Sequence, residues 1–282
     1  MKKLVLTLFL ILMGFSLFAC SPEEEQSRIE VAVSITPQAA FVEAIGKDYV
    51  NVLTVIPPGY SPANYEPSAK TMASLSKVDV YFTIGVPTES GNILPDMDNL
   101  NTIHLAEKVR SVYDDLEFTP GSRDPHIWLS IKRVKVMVQA IADELARLDP
   151  EMSDYYIANA NDYLDELDLL DREISGFFVD KTMRKFIVFH PSYRYFAADY
   201  NLEMFALEQD GKEATVSHLQ AMIDLAKTNQ IHVIFYQSEI DSSQVESFSE
   251  EIEGVGVALN PLAYDFIDNL RNLAQAIGDS LS

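Results

Sequence analysis

Cysteine is nearly absent from this 282-residue chain: Cys20 stands alone, so no internal disulfide can form. The chain also lacks a His-Glu-x-x-His helix, a Gly-x-Ser-x-Gly elbow and a glycine-rich phosphate loop with lysine, and this reads against an enzyme. Basic residues are scarce: 21 Lys and Arg face 43 Asp and Glu, for a net charge of −22. A phosphate-binding surface needs clustered cations, so nucleic acid is excluded as a partner. No apolar run is long enough to span a bilayer; the longest, Leu4 to Phe18, falls short of about 18 residues.

That run is informative in another way. Lys2 and Lys3 precede it and Leu17-Phe-Ala-Cys20 ends it, a basic start, short apolar core and small-residue break that describe a secretory signal over residues 1–19. Because the break falls directly before the lone cysteine, the segment resembles a bacterial lipoprotein signal. The resemblance implies an acylated Cys20, held through its lipid on the extracytoplasmic face of a bacterial membrane. Residues 20–27, with Glu23-Glu24-Glu25, read as an acidic tether.

Beyond the tether, strands and helices alternate. Arg28–Ser34, Tyr49–Ile56 and Val78–Ile84 are β-rich, with helical patterns after Pro37 and from Ser68 to Ser76. Residues 90–122 read as irregular. Helical spacing then returns from Val134 to Leu148, and a longer run carries Met152, Tyr156, Ala160, Tyr163, Leu167, Leu170, Ile174 and Phe177 at steps of three and four. Alternation resumes with strands at 185–190, 203–206, 231–236 and 255–259. The expected architecture is α/β: two lobes, residues 28–149 and 182–282, each a mostly parallel sheet flanked by helices, bridged by one long rigid helix within 150–181.

Five histidines are present, and two share a setting. His126 follows Asp124-Pro125, where proline restricts both its own backbone and that of the residue before it, and it precedes the only tryptophan, Trp128. His190 ends an apolar strand and is also followed by proline. Each borders a different half at a loop of the kind where α/β proteins bind ligands. Neutral imidazole is the commonest protein ligand for transition metals, and its second nitrogen is usually oriented by an acid or carbonyl; Asp124 is a candidate orienter. His104, His218 and His232 lie in settings that suit local bonding.

These features occur in a particular order: Gly59-x-x-Pro62-x-x-Tyr65-Glu66-Pro67, Asp124-Pro125-His126-Ile-Trp128-Leu129, Leu148-Asp-Pro-Glu151, His190-Pro-Ser-Tyr193-x-Tyr195-Phe196 and Asn260-Pro261-Leu262. With the lipoprotein start, they make the chain resemble the solute-binding lipoproteins of ABC transporters that import zinc or manganese. The resemblance implies a divalent transition metal as transported ligand, zinc ahead of manganese, held between the lobes by His126 and His190. It also implies a membrane permease as partner and a monomeric binding protein without turnover.

Two usual ligand positions depart from the family's pattern. Ala63 stands where a histidine is usual and Asn260 where a carboxylate is usual. Neither offers zinc the imidazole, thiolate or carboxylate it favours. Replacement oxygens are sought among Glu66, Glu89, Glu208, Gln237 and Glu239, with Asn64, Gln237 and Asn260 as weak or water-mediated contacts. The same departures support an alternative, a metal-site-degenerate member acting as a surface interaction module or binder of another small ligand.

Overall fold

Short apolar strands and amphipathic helices form two separate parallel sheets in the computed structural model, which describes residues 28–97, 99–208, 214–237 and 242–281. The expected signal at 1–19, the acylation site Cys20, the tether at 20–27 and Glu239 lie outside the described residues. In the first sheet β1 (Ile29–Val33) is followed by helix α1 (Thr36–Gly46) and β2 (Val50–Thr54), then α2 (Ala69–Leu75), β3 (Val80–Thr83) and β4 (Thr102–His104). The order is β2-β1-β3-β4, and every pairing is parallel. All four residues of β3 are buried, as a strand covered on both faces must be. Ser68 caps α2 by accepting a hydrogen bond from Thr71 N at 3.1 Å.

Strand β4 and helix α3 (Leu105–Arg110) fall inside the stretch that reads as irregular. Three residues are too few to display a period of two, so β4 emerges only from its register, Tyr81↔Thr102 to Thr83↔His104. An antiparallel ribbon, β5 (Glu117–Thr119) with β6 (Ser122–Arg123), then leads to the Asp124-Pro125-His126 corner. Helix α4 (Ile131–Leu148) runs to Asp149, where the Pro150–Met152 turn separates it from α5 (Ser153–Phe178).

The second sheet comprises β7 (Lys185–Val188), β8 (Glu203–Ala206), β9 (Val233–Gln237) and β10 (Val255–Leu259), in the order β10-β9-β7-β8 and again parallel. Helices α6 (Arg194–Asp199), α7 (Val216–Asn229), α8 (Ser242–Glu251) and α9 (Phe266–Ser280) connect and cover it.

The 26 residues of α5 extend about 39 Å at 1.5 Å per residue. Its buried stripe is Tyr156, Ala160, Tyr163, Leu167, Leu170, Ile174 and Phe178. Helices α1 and α4 from the first half and α9 from the second all pack on α5. A single apolar cluster therefore passes through both halves. At its centre the Phe41 ring meets Phe266 edge-on, with centroids 4.9 Å apart. Burying a side chain of that size stabilises by roughly 1.5–3 kcal/mol, so this junction resists parting of the halves. The opposite side of α5 is polar: Asp154, Asp162, Asp165 and Glu166 are exposed, while Asp171 accepts from Tyr200 at 2.7 Å.

Hydrogen bonds join the halves nearer the strand ends. Trp128 Nε1 donates to Pro261 O at 2.8 Å, the Tyr195 hydroxyl to Asp124 O at 3.0 Å, and Ser130 Oγ to Asp199 at 2.6 Å. The loops at the carboxyl ends of the two sheets are thereby held against each other. No helix among the described residues is long and apolar enough to cross a membrane.

Candidate metal centre

A cavity of about 260 Å³ opens where those loops converge. Ser61, Pro62 and Ala63 reach it from the loop after β2, and Val86 and Pro87 from the loop after β3. Arg123, Pro125, His126 and Trp128 come from the segment at β6, His190 from beyond β7, Gln237 from the end of β9, and Pro261 and Leu262 from beyond β10. This is the position that parallel α/β topology reserves for ligands. A larger groove of about 710 Å³ along the outer face of α4 is lined by no histidine or cysteine.

His126 is set by its own corner. The buried Asp124 carboxylate accepts the His126 backbone N–H at 3.0 Å and pairs with its Nδ1 at 2.7 Å, so one oxygen closes the turn and orients the ring. Ile127–Leu129 continues as a turn of 3₁₀-helix that places Trp128 against the imidazole, centroids 5.2 Å apart. Burial pushes the His126 pKa below its ordinary value, and the nearby His190 and Arg123 act in the same direction. The Asp124 carboxylate opposes them. Burial thus favours the neutral form of the ring.

His190 is positioned by sheet register. Because β7 and β8 pair as Val188↔Ala206, the chain beyond each strand runs alongside the other, and Glu208 N donates to Phe189 O at 2.9 Å. Glu208 Oε2 then lies 2.6 Å from His190 Nδ1. Both imidazoles thus have Nδ1 engaged by a carboxylate, while neither Nε2 has a hydrogen-bond partner among the described residues. An acid behind the ring fixes the tautomer and raises the basicity of the free nitrogen, as at protein metal sites.

The two ring centroids are 5.3 Å apart. With a zinc–nitrogen bond of about 2.0–2.1 Å, an ion lies about 3.2 Å from the centroid of each ring that binds it, and a tetrahedral angle then separates the centroids by about 5.2 Å. The observed 5.3 Å is close to that separation. Among the described residues no group of three or more His, Cys, Asp or Glu side chains is placed to hold a metal.

The other candidate residues are distributed unevenly. Gln237 lines the cavity, with its amide nitrogen donating to Ser192 Oγ at 3.0 Å. Asn64 and Glu66 are exposed and do not line it. Glu89 is buried inside the first half, where it accepts from Ser34 Oγ, from Ile84 N at 2.8 Å and from Gly85 N at 2.7 Å; burial pushes its pKa up. Asn260 folds its side-chain oxygen onto Leu262 N at 2.9 Å and does not line the cavity. His104, His218 and His232 each use a ring nitrogen locally, on Thr83, Ala206 O and Ile252 O.

Arg123 is the lining residue that pattern reading passes over, although it adjoins the Asp124-Pro125-His126 motif. Its Nε donates to Asp115 at 3.1 Å and its Nη1 to Gly85 O at 3.3 Å. Gly85 has φ +85, and a Cβ there would come within 2.5 Å of Nη1, so glycine is required on two grounds.

Asp124 also yields a test. Asp124→Asn, which keeps the shape but loses the charge behind the ring, should weaken zinc binding by about 10- to 100-fold in a competition titration against a chromophoric chelator. An unchanged isotherm would reduce Asp124 to a turn residue.

The zinc-uptake complex component A family, described as periplasmic, matches residues 31–280. The zinc-binding lipoprotein AdcA of Streptococcus pneumoniae is 26% identical over 93% of this chain and 56% of its own length. The manganese-binding lipoprotein MntA of Halalkalibacterium halodurans is 23% identical over 92% of this chain and 88% of its own. A crystal structure of ZnuA superposes with a TM-score of 0.85 at 37% identity, covering 91% of this chain and all of that one. On that match, and with the strand-end cavity its fold creates, the chain belongs to the ZnuA family, whose members are substrate-binding components of ABC metal-uptake systems and not enzymes.

Proposed function

We propose that this protein captures a divalent transition metal, zinc ahead of manganese, between His126 and His190 and delivers it to the permease of an ABC importer. It works as a monomer on the extracytoplasmic face of the membrane, anchored through an acylated Cys20. Residues 28–149 and 182–282 act as the two lobes and 150–181 as the bridge. One observation carries this reading: imidazoles from different halves, 5.3 Å apart, each with Nδ1 backed by a carboxylate.

The alternative, a scaffold turned to surface interaction or to another small ligand, has its own support. Ala63 places a methyl group at the cavity, and Asn260 bonds to its own loop outside it. Elemental analysis of the purified mature chain separates the two. Close to one zinc or manganese per chain is expected for capture. Metal-free protein that takes up none on addition would favour the alternative.

A further inference from the structure

Two imidazoles leave a four-coordinate ion with two open positions. Of the other side chains that line the cavity, only Ser61, Ser122 and Gln237 carry a lone pair to offer; Arg123 and Trp128 only donate, and the rest are apolar or proline. Asp124 and Glu208 are committed to the Nδ1 atoms behind the rings. A further side-chain ligand from the wall is therefore a neutral oxygen.

Gln237 is the best placed of these. Strands β7 and β9 pair as Ile187↔Ile234 and Val188↔Phe235, and Phe189 N donates to Phe235 O at 2.7 Å. His190 and Gln237, each two residues beyond the Val188↔Phe235 pair, thus leave the same end of neighbouring parallel strands, which lie about 4.8 Å apart. The buried Ser192 ties them together: its backbone N–H donates to His190 O at 2.8 Å, and its hydroxyl accepts the Gln237 amide nitrogen at 3.0 Å. That bond occupies the nitrogen end of the amide. The carbonyl oxygen, Oε1, takes no hydrogen bond from the described residues and is not among the sealed, partnerless polar atoms of the interior. Ser61 and Ser122, by contrast, are exposed, and Ser61 Oγ already accepts Ala63 N at 3.3 Å.

We infer that Gln237 Oε1 is a third metal ligand, so that the cargo is held by two imidazoles and one amide carbonyl, with water completing the shell. This rests on the metal-capture reading above and specifies the donor set. A neutral carbonyl suits manganese better than zinc, which favours imidazole, thiolate and carboxylate, so the residue also sets how far the site discriminates between the two metals.

Carbon-13 NMR of the mature chain labelled at its glutamine side-chain carbonyls, titrated with zinc, tests the inference; Gln237 is identified by the resonance missing from Gln237→Leu. One equivalent of zinc should move that resonance further than any other glutamine carbonyl. Gln237→Leu, which keeps the bulk and loses the oxygen, should bind zinc about tenfold more weakly or worse and lose still more affinity for manganese. Gln237→Glu, which restores an oxygen donor, should bind zinc at least as tightly as the parent. A Gln237 carbonyl that does not move while the protein holds one zinc overturns the inference and leaves capture by the histidines standing, whatever Gln237→Leu loses through packing. Equal zinc affinity in parent and Gln237→Leu, with circular dichroism showing both folded, overturns it as well. No zinc bound by the parent overturns metal capture itself.

Discussion

Replacing either His126 or His190 with alanine should weaken zinc binding by on the order of 10²- to 10³-fold. Structural zinc sites bind with about 10–16 kcal/mol shared over four ligands, or roughly 2.5–4 kcal/mol for each. Among the described residues no group of three or more His, Cys, Asp or Glu side chains is placed to take over from a lost imidazole. The fold should survive both changes. The Trp128 bond to Pro261 O, the Tyr195 bond to Asp124 O and the Phe41–Phe266 contact hold the halves together without either ring. Isothermal titration against zinc, with circular dichroism to confirm folding, checks this. An isotherm unchanged in both variants would remove the pair from the site. A loss in one alone would break the claim that they share an ion.

Acid should release the metal. Zinc binds deprotonated imidazole, so protons compete for the nitrogen that faces the ion. For His126 burial lowers the pKa, so its proton competes only at more acidic pH than that of an exposed histidine. The dissociation constant should therefore rise as pH falls, with the part due to His126 appearing only at more acidic pH than an exposed histidine would show. Equal dissociation constants at pH 7.5 and 5.5 would argue against imidazole ligation.

The architecture was legible in the sequence because burial leaves a period. Strand β3 is buried along its length and reads as a run of β-branched and aromatic residues, and α5 repeats its large residues at steps of three and four from Tyr156 to Phe178. Strand β4 was not legible, since Thr102-Ile103-His104 is short and only partly buried. Its existence depends on the neighbouring edge of β3.

The site divides along the same line. His126 and His190 stand out locally, each next to proline at a strand or ribbon end, and topology brings them together. Glu208 looked like any of several carboxylates until β7–β8 register set it against His190. Glu89 carries the same chemistry, yet its oxygens are taken by Ser34, Ile84 and Gly85, an arrangement that no linear spacing announces. For Asn260 the local bond to Leu262 wins over the cavity. Arg123 is not legible, because a lone arginine in a loop has no pattern; its place is set by its bonds to Asp115 and Gly85 O.

X-ray absorption at the zinc edge of the loaded protein tests the shared ion most directly. Two imidazole nitrogens at about 2.0–2.1 Å, with the remaining neighbours oxygen, is the expected spectrum. Loss of one imidazole shell in His126→Ala and the other in His190→Ala should follow. A spectrum with no imidazole scattering, or one identical in parent and variants, would contradict the account.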